Sequence, residues 1–272
     1  MEQAVQSVII DLPSAQQDEL IAELCGLGYD GFEQTDSQLI AYIPFTDFEE
    51  TGLQFLLNKH SLNYSLSIIE KTNWNAIWES NFQPIQIGKR IGVRADFHPP
   101  MTEVEHELVI TPRMSFGTGH HATTSLMMET LLSLPLKHTR VLDFGTGTGI
   151  LGILALKLGA DKVLGIDNDP WCIENAADNC KMNAISMELI LAESPPQNQV
   201  FDIILANINL HIIQAHLSAL RKCLHQHSSL LLSGLLIEDE SIVDELCRKE
   251  GLEKRSRAEK NGWLVLFYQP RN

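Results

Sequence analysis

Val141-Leu142-Asp143-Phe144-Gly145-Thr146-Gly147-Thr148-Gly149 is the stretch whose reading decides the fold. A short apolar run breaks into three alternating glycines and then into a helical pattern from Ile150 to Leu158. That is how a parallel strand hands over to a helix. Glycines at the junction let the backbone approach a ligand closely and set the helix N-terminus beside it. Gly147, Gly149 and Gly152 also match the G-x-G-x-x-G fingerprint of dinucleotide sites. The glycines alone therefore leave two kinds of nucleotide cofactor open.

Asp143 separates the two, and two further polar residues stand at strand ends. Asp143 stands two residues before Gly145, where a carboxylate would repel a pyrophosphate but favour the sulfonium and ammonium of S-adenosylmethionine. The alternative is an Asp that only caps the following turn. The next strand, Lys162 to Asp167, ends in a carboxylate 22 residues beyond Gly145, placed to accept both hydroxyls of a cofactor ribose. A third strand, Phe201 to Ala206, runs into Asn207, at the sheet edge where a methyl group and its acceptor would meet.

Outward from this point strand and helix signals alternate. Helices are expected at 124–134, 150–158, 171–182, 210–224 and 239–249, and strands at 140–144, 162–167, 187–192, 201–206, 229–233 and 263–268. The alternation predicts an α/β domain with a doubly wound, Rossmann-like parallel sheet covered on both faces. Residues 1–70 follow another plan. Strands near 5–12, 29–35, 39–43 and 63–70 surround two helices, each introduced by an expected capping box, Ser14 to Gln17 and Thr46 to Glu49. The order β-α-β-β-α-β is that of a small ferredoxin-like α+β domain. Residues 71–95 read as a linker with a short helix bearing Trp74 and Trp78, followed by strands at 90–94 and 107–111. The expected division is 1–70, 71–95 and 96–272.

Composition narrows the setting. Of 272 residues 44% are hydrophobic and 20% charged, the balance of a folded chain. No apolar run reaches the roughly 20 residues of a membrane helix, and no signal peptide is read at the N-terminus, so no membrane partner and a cytoplasmic location are expected. The five cysteines are scattered without a Cys-x-x-Cys pair, which predicts free thiols and no metal. His120 and His121 are adjacent, a poor chelating arrangement on a helix, and His121 is read as a structural residue of its loop. Residues 1–65 carry eleven carboxylates against one basic residue, Lys59. Such a surface repels nucleic acid, so no direct nucleic-acid binding is expected; on the residues alone it either attracts a basic protein or simply aids solubility.

Phe116-Gly117-Thr118-Gly119-His120-His121-Ala122-Thr123-Thr124 matches a pattern F-G-T-G-x-H-x-T-T that general methyltransferases lack. With the 143–149 turn, Gly165-Ile166-Asp167-Asn168-Asp169-Pro170, Ala206-Asn207-Ile208 and Leu232-Ser233-Gly234-Leu235-Leu236, it resembles the PrmA family of bacterial methyltransferases over nearly the whole chain. The resemblance implies S-adenosylmethionine as cofactor, contacted by Thr124, Gly145, Asp167 and Asn207. It implies as substrate a basic ribosomal protein, the eleventh of the large subunit, methylated on lysine and N-terminal amines, with residues 1–70 recognising it. No catalytic base is implied. Arg113 and Ser115 depart from the family's usual Pro-Gly-x-Ala. Methylation of another protein or a small amine, and nucleotide binding without turnover, stay open on the residues alone.

Overall fold

Residues 5–69, 83–111 and 115–271 are described by a computed structural model, and the chain divides into two units, Met1–Asn81 and Phe82–Asn272. The expected Trp74/Trp78 helix and Arg113 lie outside the described residues.

In the first unit the strands β1 (Val5–Asp11), β2 (Gly31–Gln34), β3 (Gln38–Pro44) and β4 (Tyr64–Ile69) form one antiparallel sheet in the order β2-β3-β1-β4. Helices α1 (Gln17–Cys25) and α2 (Glu50–Lys59) complete the β-α-β-β-α-β order. Period-two alternation puts Val8 and Ile10 of β1 beside Leu39, Ala41 and Ile43 of β3, and these bury Leu20 and Leu24 of α1 and Leu53 and Leu57 of α2.

Neither expected capping box forms. Ser14 lies inside a short 3-10 helix, Ser14–Gln16, and no side chain caps α1. Gln17 is instead fully buried, its Nε2 donating to the carbonyls of Leu12, Thr35 and Gln38 at 2.8, 2.8 and 3.1 Å. A buried amide needs such partners, so the tie between loops outcompetes the cap. Thr46 donates to Asp47 Oδ1 within a second 3-10 helix, Phe45–Asp47, and α2 begins only at Glu50.

The second unit opens with a three-stranded sheet of β5 (Ile85–Ile87), β6 (Ile91–Arg94) and β7 (His106–Val109). The described part of the expected linker thus supplies β5 and β6. After α3 (Ala122–Leu131) come β8 (Arg140–Phe144), α4 (Ile150–Lys157), β9 (Lys162–Asp167), α5 (Pro170–Met182), β10 (Glu188–Leu191) and β11 (Phe201–Asn207). Then follow α6 (Leu210–Lys222), β12 (Leu224–Leu236), α7 (Glu240–Lys249), β13 (Leu252–Lys260) and β14 (Trp263–Pro270). The seven strands run in the order β10-β9-β8-β11-β12-β14-β13.

The sheet is mixed, not wholly parallel as expected. β10 through β12 are parallel, whereas β14 is antiparallel to both β12 and β13. β13 was not expected at all, because Leu252-Glu-Lys-Arg-Ser-Arg-Ala-Glu-Lys buries only its first residue. It is an edge strand, and charge on an edge blocks unwanted pairing. Asn261 and Gly262, at φ 52° and 81°, make the two-residue turn that joins it to β14.

Alternation along the strands divides the core. Val141, Ile203, Leu205 and Val265 face α3 and α4, while Leu142, Phe144, Ile204, Ala206 and Leu266 face α6 and α7. Among the described residues no helix is long and apolar enough to cross a membrane. All five cysteines are free.

Candidate active site

The strand order reverses between β8, whose next strand in sequence is β9 on one side, and β11 on its other side. Open α/β sheets bind ligands at such a switch point. A pocket of about 640 Å³ lies there, within the range of small-molecule sites.

The glycine turn forms its floor. Gly145 (φ 75°) and Gly147 (φ 54°) are left-handed, and a Cβ on either would collide, with the Ile208 side chain and the Phe116 carbonyl oxygen respectively. Only glycine satisfies both demands. The Phe116–Gly119 loop closes on this turn: Thr148 N–H donates to the Phe116 carbonyl at 3.0 Å, and its hydroxyl to the Gly117 carbonyl.

All four residues expected to contact the cofactor, Thr124, Gly145, Asp167 and Asn207, line this one pocket. Asp167 accepts the Gly147 N–H at Oδ2 (2.8 Å) and the Asp169 N–H at Oδ1 (3.1 Å). A carboxylate has about four acceptor positions, so two remain for a ligand. Asn207 Nδ2 donates to the Thr124 hydroxyl at 3.3 Å. Its Oδ1 is buried and accepts nothing from the protein. Leaving a buried acceptor unpaired costs about 1–3 kcal/mol, and a ligand N–H or O–H would remove that cost.

Asp143 corrects the expectation drawn from it. It does not line the pocket. Sharing the parity of Val141, it points beneath α4, where it accepts the Thr146 hydroxyl at 2.7 Å and the Gly152 N–H at 3.1 Å. Burial pushes its carboxyl up to about 6, against the lowering effect of those two bonds. It is the turn-capping Asp, and any discrimination between cofactors by direct contact falls to other groups.

Those groups are Asp167, Asp169 and Glu193, which line the pocket with no Lys or Arg among its described lining residues. Such a lining favours a cationic ligand over a pyrophosphate. Glu193, Trp263 and His216 escaped sequence reasoning. Glu193 follows β10, Trp263 opens β14 and His216 sits within α6, and only the strand order brings them together. His121 matches its structural reading. It is the N-cap of α3, its Nδ1 accepting the Thr123 N–H, with its ring edge-on to Phe116 and Trp263 at centroid distances of 5.4 and 4.7 Å.

The α/β sheet, the glycine turn at its switch point and an anionic pocket with a spare ribose acceptor define an S-adenosylmethionine-dependent methyltransferase of class I. Known proteins narrow this further. Residues 1–271 match the family model described as "Ribosomal protein L11 methyltransferase (PrmA)". A ribosomal protein L11 methyltransferase of Porphyromonas gingivalis is 43% identical over 266 residues, covering 93% of this chain and 90% of that protein. The counterpart in Phocaeicola vulgatus is 39% identical over 260 residues, covering 92% of each. Among solved structures, a ribosomal protein L11 methylase from Lactobacillus delbrueckii subsp. bulgaricus superposes with a TM-score of 0.64 at 25% identity, over 70% of this chain and 100% of that one. The chain belongs to the PrmA family of ribosomal protein L11 methyltransferases.

Proposed function

We propose that this chain transfers methyl groups from S-adenosylmethionine to amino groups of ribosomal protein L11, lysine side chains and the N-terminal amine among them. The observation that carries the reading is the family match along residues 1–271. The convergence of Thr124, Gly145, Asp167 and Asn207 on one pocket supports it. The cofactor, when bound, supplies an electrophilic methyl group. Asp167 would hold the ribose hydroxyls, and Gly145 would let the backbone pass close to the ligand. Thr124 and Asn207, already paired, would orient the end where transfer occurs, with Asn207 Oδ1 accepting an N–H.

Only a neutral amine can attack. A lysine near pKa 10.4 is neutral in about one molecule in a thousand near physiological pH, a deficit of roughly 4 kcal/mol. Desolvation in a pocket beside a cation disfavours the ammonium and offsets part of that deficit, and holding the amine in line with the methyl carbon supplies much of the acceleration. No dedicated base is needed on this account.

In the same reading residues 96–272 form the doubly wound methyltransferase domain, to whose unit the 71–95 segment contributes β5 and β6, and residues 1–70 form a ferredoxin-like domain that captures the substrate. The eleven carboxylates against Lys59 in residues 1–65 support a basic partner. A cytoplasmic location goes with it. Purified L11 incubated with methyl-labelled cofactor should be labelled on its amines. The specificity constant should fall severalfold as salt rises from about 0.05 to 0.3 M, while cofactor affinity changes little. Unlabelled L11 in the presence of tight cofactor binding would sink the substrate assignment, and a salt-independent rate would sink the charge-based capture.

A further inference from the structure

We infer that His121 is a positioning residue for the transfer site, acting through the first turn of α3 on the Thr124–Asn207 pair. The inference rests on the methyltransferase reading of the same pocket. His121 has extended backbone, φ −69° and ψ 141°, as an N-cap requires. Its Nδ1 accepts the Thr123 N–H at 3.4 Å and lies 2.8 Å from the Thr123 hydroxyl. A nitrogen that accepts an N–H carries no proton, which places the ring's proton on Nε2.

Two consequences follow from that tautomer. The ring has no lone pair left to offer a substrate ammonium, which assigns His121 to positioning and not to proton abstraction. The cap also anchors the turn in which the next residue, Thr124, is fully buried and accepts from Asn207 Nδ2 at 3.3 Å. Phe116 and Trp263 meet the ring edge-on, at 5.4 and 4.7 Å, and so hold the acceptor in place. Loss of the acceptor frees the Thr123 N–H, loosens the first turn and lets Thr124 drift from Asn207.

The test separates ring from cap in the full-length protein. His121→Phe keeps an aromatic ring between Phe116 and Trp263 but has no acceptor, whereas His121→Asn removes the ring and keeps one of the strongest capping groups. Calorimetry with S-adenosylmethionine should show the Phe variant weaker by about fivefold to tenfold, a capping energy near 1 kcal/mol expressed as affinity. The Asn variant should recover most of that loss. A Phe variant that binds like the parent overturns the inference, and so does an Asn variant as weak as Phe. Should the Phe variant not fold, nitrogen-15 spectra of the parent's imidazole decide: an unprotonated Nδ1 at neutral pH supports the inference, and a protonated one overturns it. If the parent itself binds no S-adenosylmethionine, the proposed function fails instead.

Discussion

β8 and β9 lie side by side, each carries a carboxylate at its C-terminal end, and each carboxylate accepts an N–H from the chain that follows β8, yet Asp167 lines the pocket and Asp143 does not. Position along the strand makes the difference, because the two carboxylates share one face: Asp143 pairs with Gly165, two residues short of Asp167. Asp143 alternates with Val141 toward α4 and is 1% exposed, whereas Asp167 is the last residue of β9 and opens onto the ligand space. Proximity to a glycine motif therefore says little about a side chain's role until its depth along the strand is known.

The largest test of this contrast removes the buried partner. Asp143→Ala should cost about 4 kcal/mol of stability, since the Thr146 hydroxyl and the Gly152 N–H lose their acceptor in a dry site and a cavity remains. Denaturant unfolding measures it, and a loss below about 1 kcal/mol would mean the two bonds do not hold the turn. Asp167→Ala should do the reverse. Cofactor affinity should fall roughly a hundredfold, about 3 kcal/mol, as two hydroxyls lose a charged acceptor, with little change in folding. Unchanged affinity in calorimetry removes Asp167 from the site.

The smallest effect is a pH signature. The Asp143 carboxyl is raised to about 6 in the folded protein and sits near 3.9 when unfolded. Between those values the folded state holds the extra proton, so this group's contribution is fully present below the unfolded value and is lost as pH rises through the folded one. Stability relative to Asp143→Asn should thus decline by about 2 kcal/mol from about pH 4.5 to 7. A parallel pH profile in the two proteins would show that Asp143 does not titrate in that window. The lowered carboxyls of Glu107 and Asp202 act in the opposite direction, which is why the comparison is made between variants.

Much of the architecture was legible where local pattern and tertiary demand agree. β8 and β9 begin and end where their apolar runs predict, and the four residues transferred from the family's motifs converge on one pocket. The failures have physical causes. β13 reads as a charged loop because an edge strand needs no apolar face, and β5 has only three residues. Ser14 and Thr46 look like caps until Gln17 and the two 3-10 helices claim the same backbone. Glu193 and Trp263 carry no local signature, because their place in the pocket comes from which strands lie together.

The Asn261-Gly262 turn reaches further than its exposed position suggests. β13 and β14 pair from Lys260 opposite Trp263 outward, so these two residues fix the frame in which β14 is counted. A hairpin of this kind closes in about 1–10 μs, well within the time over which a whole mixed sheet assembles, and it can dock against β12 with its frame already chosen. One residue inserted into the turn would shift that frame and carry Trp263 to the α6 side of the sheet. An aromatic wall of the pocket is thus written in a two-residue surface turn that touches no ligand, and drift in that turn would be read out as lost activity with the core intact.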